Sequence, residues 1–164
     1  MGKRIAMVLA AAMLCGTPAL ADGKVFVQLP DLSSYSGTQA EDFLRRVVLA
    51  NVVSSNCAGF GISDAEWSLL TDSADLLAYG RLRLDTDSYD DAFYGPAFDA
   101  LDAPGTCETH GPDVEAVLEE LVRHGGAREP LPDQEGAYEE WRALMDRLQA
   151  EAGAASAPVK VKTK

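Results

Sequence analysis

Cysteine, histidine and aromatic residues are all scarce in this chain: three cysteines, two histidines and 7% aromatics over 164 positions. There is no CxxC pair, which excludes a thioredoxin-type redox centre, and no CxxCH, which excludes covalent haem of the c type. The two histidines, His110 and His124, form no HExxH or comparable zinc spacing. The chain has no glycine-rich phosphate loop and no internal repeat. Positive charge is short as well: 14 Lys and Arg against 26 Asp and Glu leave a formal charge of −12. Such a surface repels phosphate backbones, so nucleic acid is not an expected partner. No apolar run reaches the roughly 20 residues of a membrane-spanning helix.

What is present reads as one globular domain with tails. Apolar residues make up 47% of the chain and charged residues 24%, a folded rather than a disordered composition. Lys3 and Arg4 precede an unbroken apolar run, Ile5 to Leu14, and then Pro18-Ala19-Leu20-Ala21. This is the three-part layout of a secretory signal, with cleavage expected after Ala21 and export, most simply to a bacterial periplasm. Cys15 follows Leu14 and not the small residue of a lipoprotein signal. Removing the 21-residue leader, which carries two cations and no acid, leaves 143 residues and a charge of −14. A chain of that length buries about two-thirds of its unfolded surface.

Cys57 and Cys107 then remain, 50 positions apart. An even count in an oxidising compartment reads as a disulfide. The rival readings are a free thiol pair and a metal site built on the CxxH spacing of Cys107 and His110 with His124 as a further ligand.

The rest of the chain carries helix signals. Residues 22–37 form an extended arm, with Val25-Phe26-Val27-Gln28-Leu29 stopped by Pro30 and no second strand to pair with it. Thr38 and Glu41 have the spacing of a capping box before the stripe Phe43, Leu44, Val47, Val48 and Val52, and this helix is expected to end near Asn56–Gly59. Ser63 and Glu66 repeat the capping signal before Trp67, Leu70, Ala74 and Leu77. Ser88 is the expected cap of a third element, which Gly95-Pro96 should kink. Pro112 suits the first turn of a fourth helix with Val114, Val117, Leu118, Leu121 and Val122 on its apolar face. A linker with Pro130 and Pro132 precedes a last helix over 134–151, capped by Asp133 and carrying Tyr138, Trp141, Leu144, Met145 and Leu148. Residues 152–164 read as a disordered tail. The expected fold is all-α: about five helices over 38–151, one disulfide (Cys57–Cys107) and an extended N-terminal arm.

Candidate chemistry is thin. Gly61-Ile62-Ser63-Asp64-Ala65 resembles a nucleophile elbow without its last glycine, but no strand precedes it, and a capping serine explains Ser63. Asp85-Thr86-Asp87-Ser88-Tyr89-Asp90-Asp91 starts like a calcium loop, yet has Asp90 where glycine is needed and Pro96 where glutamate is needed. It therefore reads as a solvated acidic turn. Adjacent acids such as Glu119-Glu120 point about 100° apart on a helix and do not converge. Trp67, Tyr138 and Trp141 lie on apolar stripes and are assigned to the core. Tyr89, Phe93, Tyr94 and Phe98 cannot all face one core, because Phe93 and Tyr94 are neighbours.

With Cys57, the helical excursion of about fifty residues after it, and Cys107 leading into the Val114–Val122 helix, the chain resembles small exported two-cysteine helical proteins of alphaproteobacteria. The likeness covers residues 38–125. That family carries no assigned activity, so the resemblance implies a fold and a compartment and no reaction.

The functional expectation is a non-catalytic periplasmic protein that binds a cationic protein or peptide. Its binding surface would be Asp85, Asp87, Tyr89, Asp90, Asp91, Phe93, Tyr94 and Phe98. No cofactor, metal or catalytic residue is assigned. The alternative is a helical protein that binds a small ligand or a divalent metal in an interhelical pocket or at the aspartate cluster, and an enzyme with scattered site residues is the third reading.

Overall fold

The computed structural model describes residues 23–156. The leader expected over 1–21 and the last residues of the expected tail, 157–164, lie outside the described residues.

Helix α1 (Thr38–Asn56) forms the centre. Phe43, Leu44, Val47, Val48, Val52 and Val53 are fully buried, and Ala40 and Ala50 join them. Its solvent face is a stripe of exposed charges, Glu41, Asp42, Arg45 and Arg46, and the rest of its girth is covered by the other helices. It does not open on the expected capping box. Gly37, at φ 52°, is the cap residue and no side chain caps the helix, which places Thr38 inside the first turn. Helix α5 (Thr106–Arg123) packs antiparallel to α1, and Cys57 at the end of α1 is bonded to Cys107 in the first turn of α5, with Cα atoms 5.5 Å apart. At the other end of the pair, Arg46 Nη2 lies 2.6 Å from Glu120 Oε2.

Helix α2 (Asp64–Asp75) opens on the expected box, with Ser63 and Glu66 capping each other's backbone amides. It continues as a π-helical turn, Leu76–Arg81, in which Leu82 N donates to Leu77 O at 2.9 Å. The wider turn lets three consecutive residues, Leu77, Ala78 and Tyr79, all face the core. A short α3 (Thr86–Tyr89), a second π turn (Asp90–Tyr94) and α4 (Gly95–Leu101) form one continuous segment. Asp85 caps it by accepting from Ser88 N at 2.8 Å, so Ser88 is inside the helix and not its cap. Pro96 has no N–H to donate to the carbonyl four residues back, and the turn before it widens. Gly95 N then donates to Asp90 O.

Helix α5 begins at Thr106, six residues before Pro112, because Gly105 (φ 81°) and the Thr106 hydroxyl, donating to Ala100 O and Ala103 O, organise an earlier start. Pro112 is thus tolerated in the second turn. Val114, Val117, Leu118 and Leu121 are buried as expected, whereas Val122 is 41% exposed.

The extended arm has a partner after all. Ala127 N donates to Gln28 O, Leu131 N to Phe26 O, and Asp31 N to His124 O. The proline linker is therefore the second strip of an antiparallel contact. Pro130 and Pro132 supply no N–H, so pairing stops at one isolated bridge, Val27 to Pro130, and no strand forms among the described residues.

Helix α6 (Gln134–Ser156) closes over the arm and the first π turn. Asp133 caps it, accepting from Gly136 N at 3.0 Å. It runs past the expected end at 151, because Ala152 is 1% exposed and anchors the last turns. The architecture is all-α with one disulfide.

Candidate functional site

The segment from Asp85 to Phe98 divides between interior and surface. Tyr89 and Phe93 are buried, and Tyr94 packs partly against the same core. Their rings form a chain: Tyr79 edge-on to Tyr89 at 5.6 Å, Tyr89 to Tyr94 at 5.3 Å, and Tyr94 stacked on Phe98 at 6.4 Å. Burial raises the pKa of both Tyr89 and Tyr94, so these hydroxyls stay neutral. What faces solvent is Phe98, 52% exposed, with Asp87, Asp90 and Asp91. Asp85 is turned to capping. Beside this ridge a groove of about 150 Å³ runs between α1 and α4, lined by Leu49, Ala92, Phe93, Pro96 and Ala97, with Arg45 over the Phe93 ring at 5.2 Å.

The loop resembling a calcium site is wound into α3, and its aspartates fan out around the helix. Among the described residues no group of three His, Cys, Asp or Glu side chains converges as a metal site would require. His110 pairs with Asp113 at 3.1 Å on the surface, and His124 lies edge-on to Tyr35, 5.3 Å away. Tyr35, stacked on Phe43, donates to Glu120 at 2.8 Å; burial and that carboxylate push its pKa up to about 12. Ser63 is occupied in its capping box.

A second constellation had no signal in local sequence patterns. Lys24 of the arm reaches Asp72 of α2, with Nζ 2.6 Å from Oδ1. The ammonium sits over the Trp141 ring of α6 at 3.7 Å and near the Phe26 ring at 5.3 Å. Asp72 is 1% exposed, and burial raises its pKa despite the opposing pull of Lys24. The Trp141 indole N–H also favours the Asp72 charge, yet it closes no hydrogen bond of good geometry: Trp141 Nε1 and Asp72 Oδ2 both lack a partner. One turn on, half-buried Asp75 is pushed up to about 7 by burial and by Asp72, with Lys24 pulling the other way. Trp141 is half-buried here, and Trp67, read as a core residue, is 39% exposed on the adjoining surface. One compositional clue existed: Lys24 is the only lysine among the described residues.

No helix among the described residues is long and apolar enough to cross a membrane. No protein-family model, curated protein or solved structure matches the chain. Fold and geometry therefore define it as a disulfide-linked all-α protein, and its function must be argued from its own surfaces.

Proposed function

We propose that this is an exported, non-catalytic helical protein whose acidic and aromatic ridge on α3 and α4 binds a cationic protein or peptide. The observation that carries the reading is the exposed Phe98 ring on a helical segment that also exposes Asp87, Asp90, Asp91 and Asp99 and whose Pro96 and Ala97 line an apolar groove. None of these four aspartates is in an ion pair among the described residues. An aromatic anchor beside unneutralised acids fits a partner that offers an apolar side chain among lysines or arginines. The charge of −14 that remains once the expected leader, with its two cations, is removed steers such a partner in. The layout of the leader and the likeness to exported two-cysteine proteins support the compartment. The non-catalytic reading is supported by the engagement of the candidate groups among the described residues: His110 pairs with Asp113, His124 shares a hydrogen bond with the Tyr35 hydroxyl, which donates to Glu120, and Ser63 serves as a cap.

The test is an NMR titration of the folded chain with a lysine-rich peptide containing one leucine, and with its glutamate-rich counterpart. The lysine-rich peptide should shift resonances over Asp87–Phe98. Its affinity should fall at least tenfold on Phe98→Ala or in salt of about 0.5 M, where screening is short-ranged. Shifts confined elsewhere, or equal binding of both peptides, would defeat the reading. A small-ligand reading is favoured by one further observation, the crevice at Asp72.

A further inference from the structure

Lys24 stands between two clefts. On one side about 170 Å³ of space is bounded by Asp72, Trp141, Phe26 and Glu140. On the other a wider cleft of about 430 Å³ is bounded by Lys24 itself, Asp64, Trp67 and Ser68. The walls on both sides carry buried polar atoms with no hydrogen-bond partner: Asp72 Oδ2, Trp141 Nε1 and Ser68 Oγ. A carboxylate accepts from several donors at once, and a buried oxygen left without one is a cost the fold would ordinarily avoid. Asp72 is therefore built to accept more than the one hydrogen bond that Lys24 makes to Oδ1.

The surroundings select the ligand. A carboxylate on one side and two ring faces on the others attract a cation, and a primary ammonium also supplies three donors. Leu29, Leu131 and Leu144 line the same crevice and suit an alkyl stem. The arm is tied down from Phe26 onward, where Phe26 N donates to Gln134 Oε1 and Phe26 O accepts from Leu131 N. Lys24 precedes this anchor, so its side chain can withdraw while these bonds remain.

We propose that Asp72, Trp141 and Phe26 form a binding site for a primary alkylammonium group, which the protein's own Lys24 fills in cis and which an external amine occupies by displacing it. The Lys24 ammonium already fills the space between Asp72 Oδ1 and the Trp141 ring, so an external ammonium takes that place only as Lys24 leaves, and the exchange is one for one. The tethered Lys24 competes as if present at about millimolar concentration or more, which keeps external binding weak until it leaves. None of the ridge residues takes part, so the two proposals stand or fall separately.

The probe is n-butylammonium, titrated against the full chain in a Trp67→Phe background so that Trp141 is the sole fluorescent reporter. Lys24→Ala should bind it at least tenfold more tightly than the parent chain. Adding Asp72→Asn should abolish binding, and tetramethylammonium, with no N–H, should bind at least tenfold more weakly. In the parent chain with labelled lysine, the Lys24 Hε signals should be shifted upfield by the indole and return toward the free-lysine position as the amine saturates. If Lys24→Ala does not fold alone, n-butylammonium should restore its circular dichroism and n-butanol should not. Equal affinities with and without Lys24, rescue by n-butanol as well, no rescue of an unfolded variant, or a Lys24 signal that stays in place while amine binds would each overturn the proposal.

Discussion

Replacing Asp75 with asparagine should stabilise this protein, and only above acidic pH. The Asp75 carboxyl is shifted from 3.8 to about 7 because burial and neighbouring Asp72 disfavour its charge. A folded-state value above the unfolded one means that the folded chain holds the proton more tightly. Stability from this group is therefore complete below about pH 4 and is lost as pH rises toward 7. The full gap corresponds to roughly 4 kcal/mol. Solvent reaches part of the side chain, so about half of that, about 2 kcal/mol, is the expected gain at pH 8. For a domain of this size that equals a rise of about 6–10 °C in Tm. The assay is thermal unfolding of parent and Asp75→Asn at pH 4 and pH 8. Using the difference between the chains cancels the carboxylates remote from Asp75, whereas relief of the repulsion with Asp72 belongs to the expected gain. Equal differences at the two pH values, or a variant less stable than the parent at pH 8, would refute the electrostatic account of this crevice.

Opening the Cys57–Cys107 bond, which closes a loop of 50 residues, should cost about 4 kcal/mol in the chain-entropy model. Melting with and without reductant checks this, and an unchanged midpoint would remove the bond as a stabiliser. Ser63→Ala removes the hydroxyl that accepts from Glu66 N in the α2 capping box, while the amide of residue 63 can still donate to Glu66, and should lower stability by about 1 kcal/mol in urea titration, whereas no measurable loss would mean that the hydroxyl cap is idle. Leu69→Ala, at a fully buried position, should cost about 2–5 kcal/mol by the same measurement; a cost below about 1 kcal/mol would show that the core collapses around the gap.

Features written within a few neighbouring residues were legible before the structure. Ser63 and Glu66 meet three positions apart, as a capping box requires, and Asp133 caps Gly136 in the same way. The stripe from Phe43 to Val52 announced α1 because burial repeats with the helical period. Local rules failed where a stronger constraint was present. Thr38 lost its capping role to the turn at Gly37, and the turn at Gly105 with the Thr106 hydroxyl drew the start of α5 back from Pro112. Within the ridge, adjacency showed that Phe93 and Tyr94 could not share one environment, but not that Tyr89 would be buried and Phe98 exposed.

The sequence by itself determined that this chain is helical, that Ser63 and Asp133 cap two of its helices, and which two cysteines could join, because those properties depend on hydrogen bonds and periodicities spanning a few residues or on a count. Tertiary structure alone decided that the arm pairs with the proline linker, that two helices widen into π turns, and that Lys24 meets Asp72 across 48 positions under the ring of Trp141. A buried ion pair between distant segments has no local pattern, since its energy depends on the solvent that the assembled helices exclude.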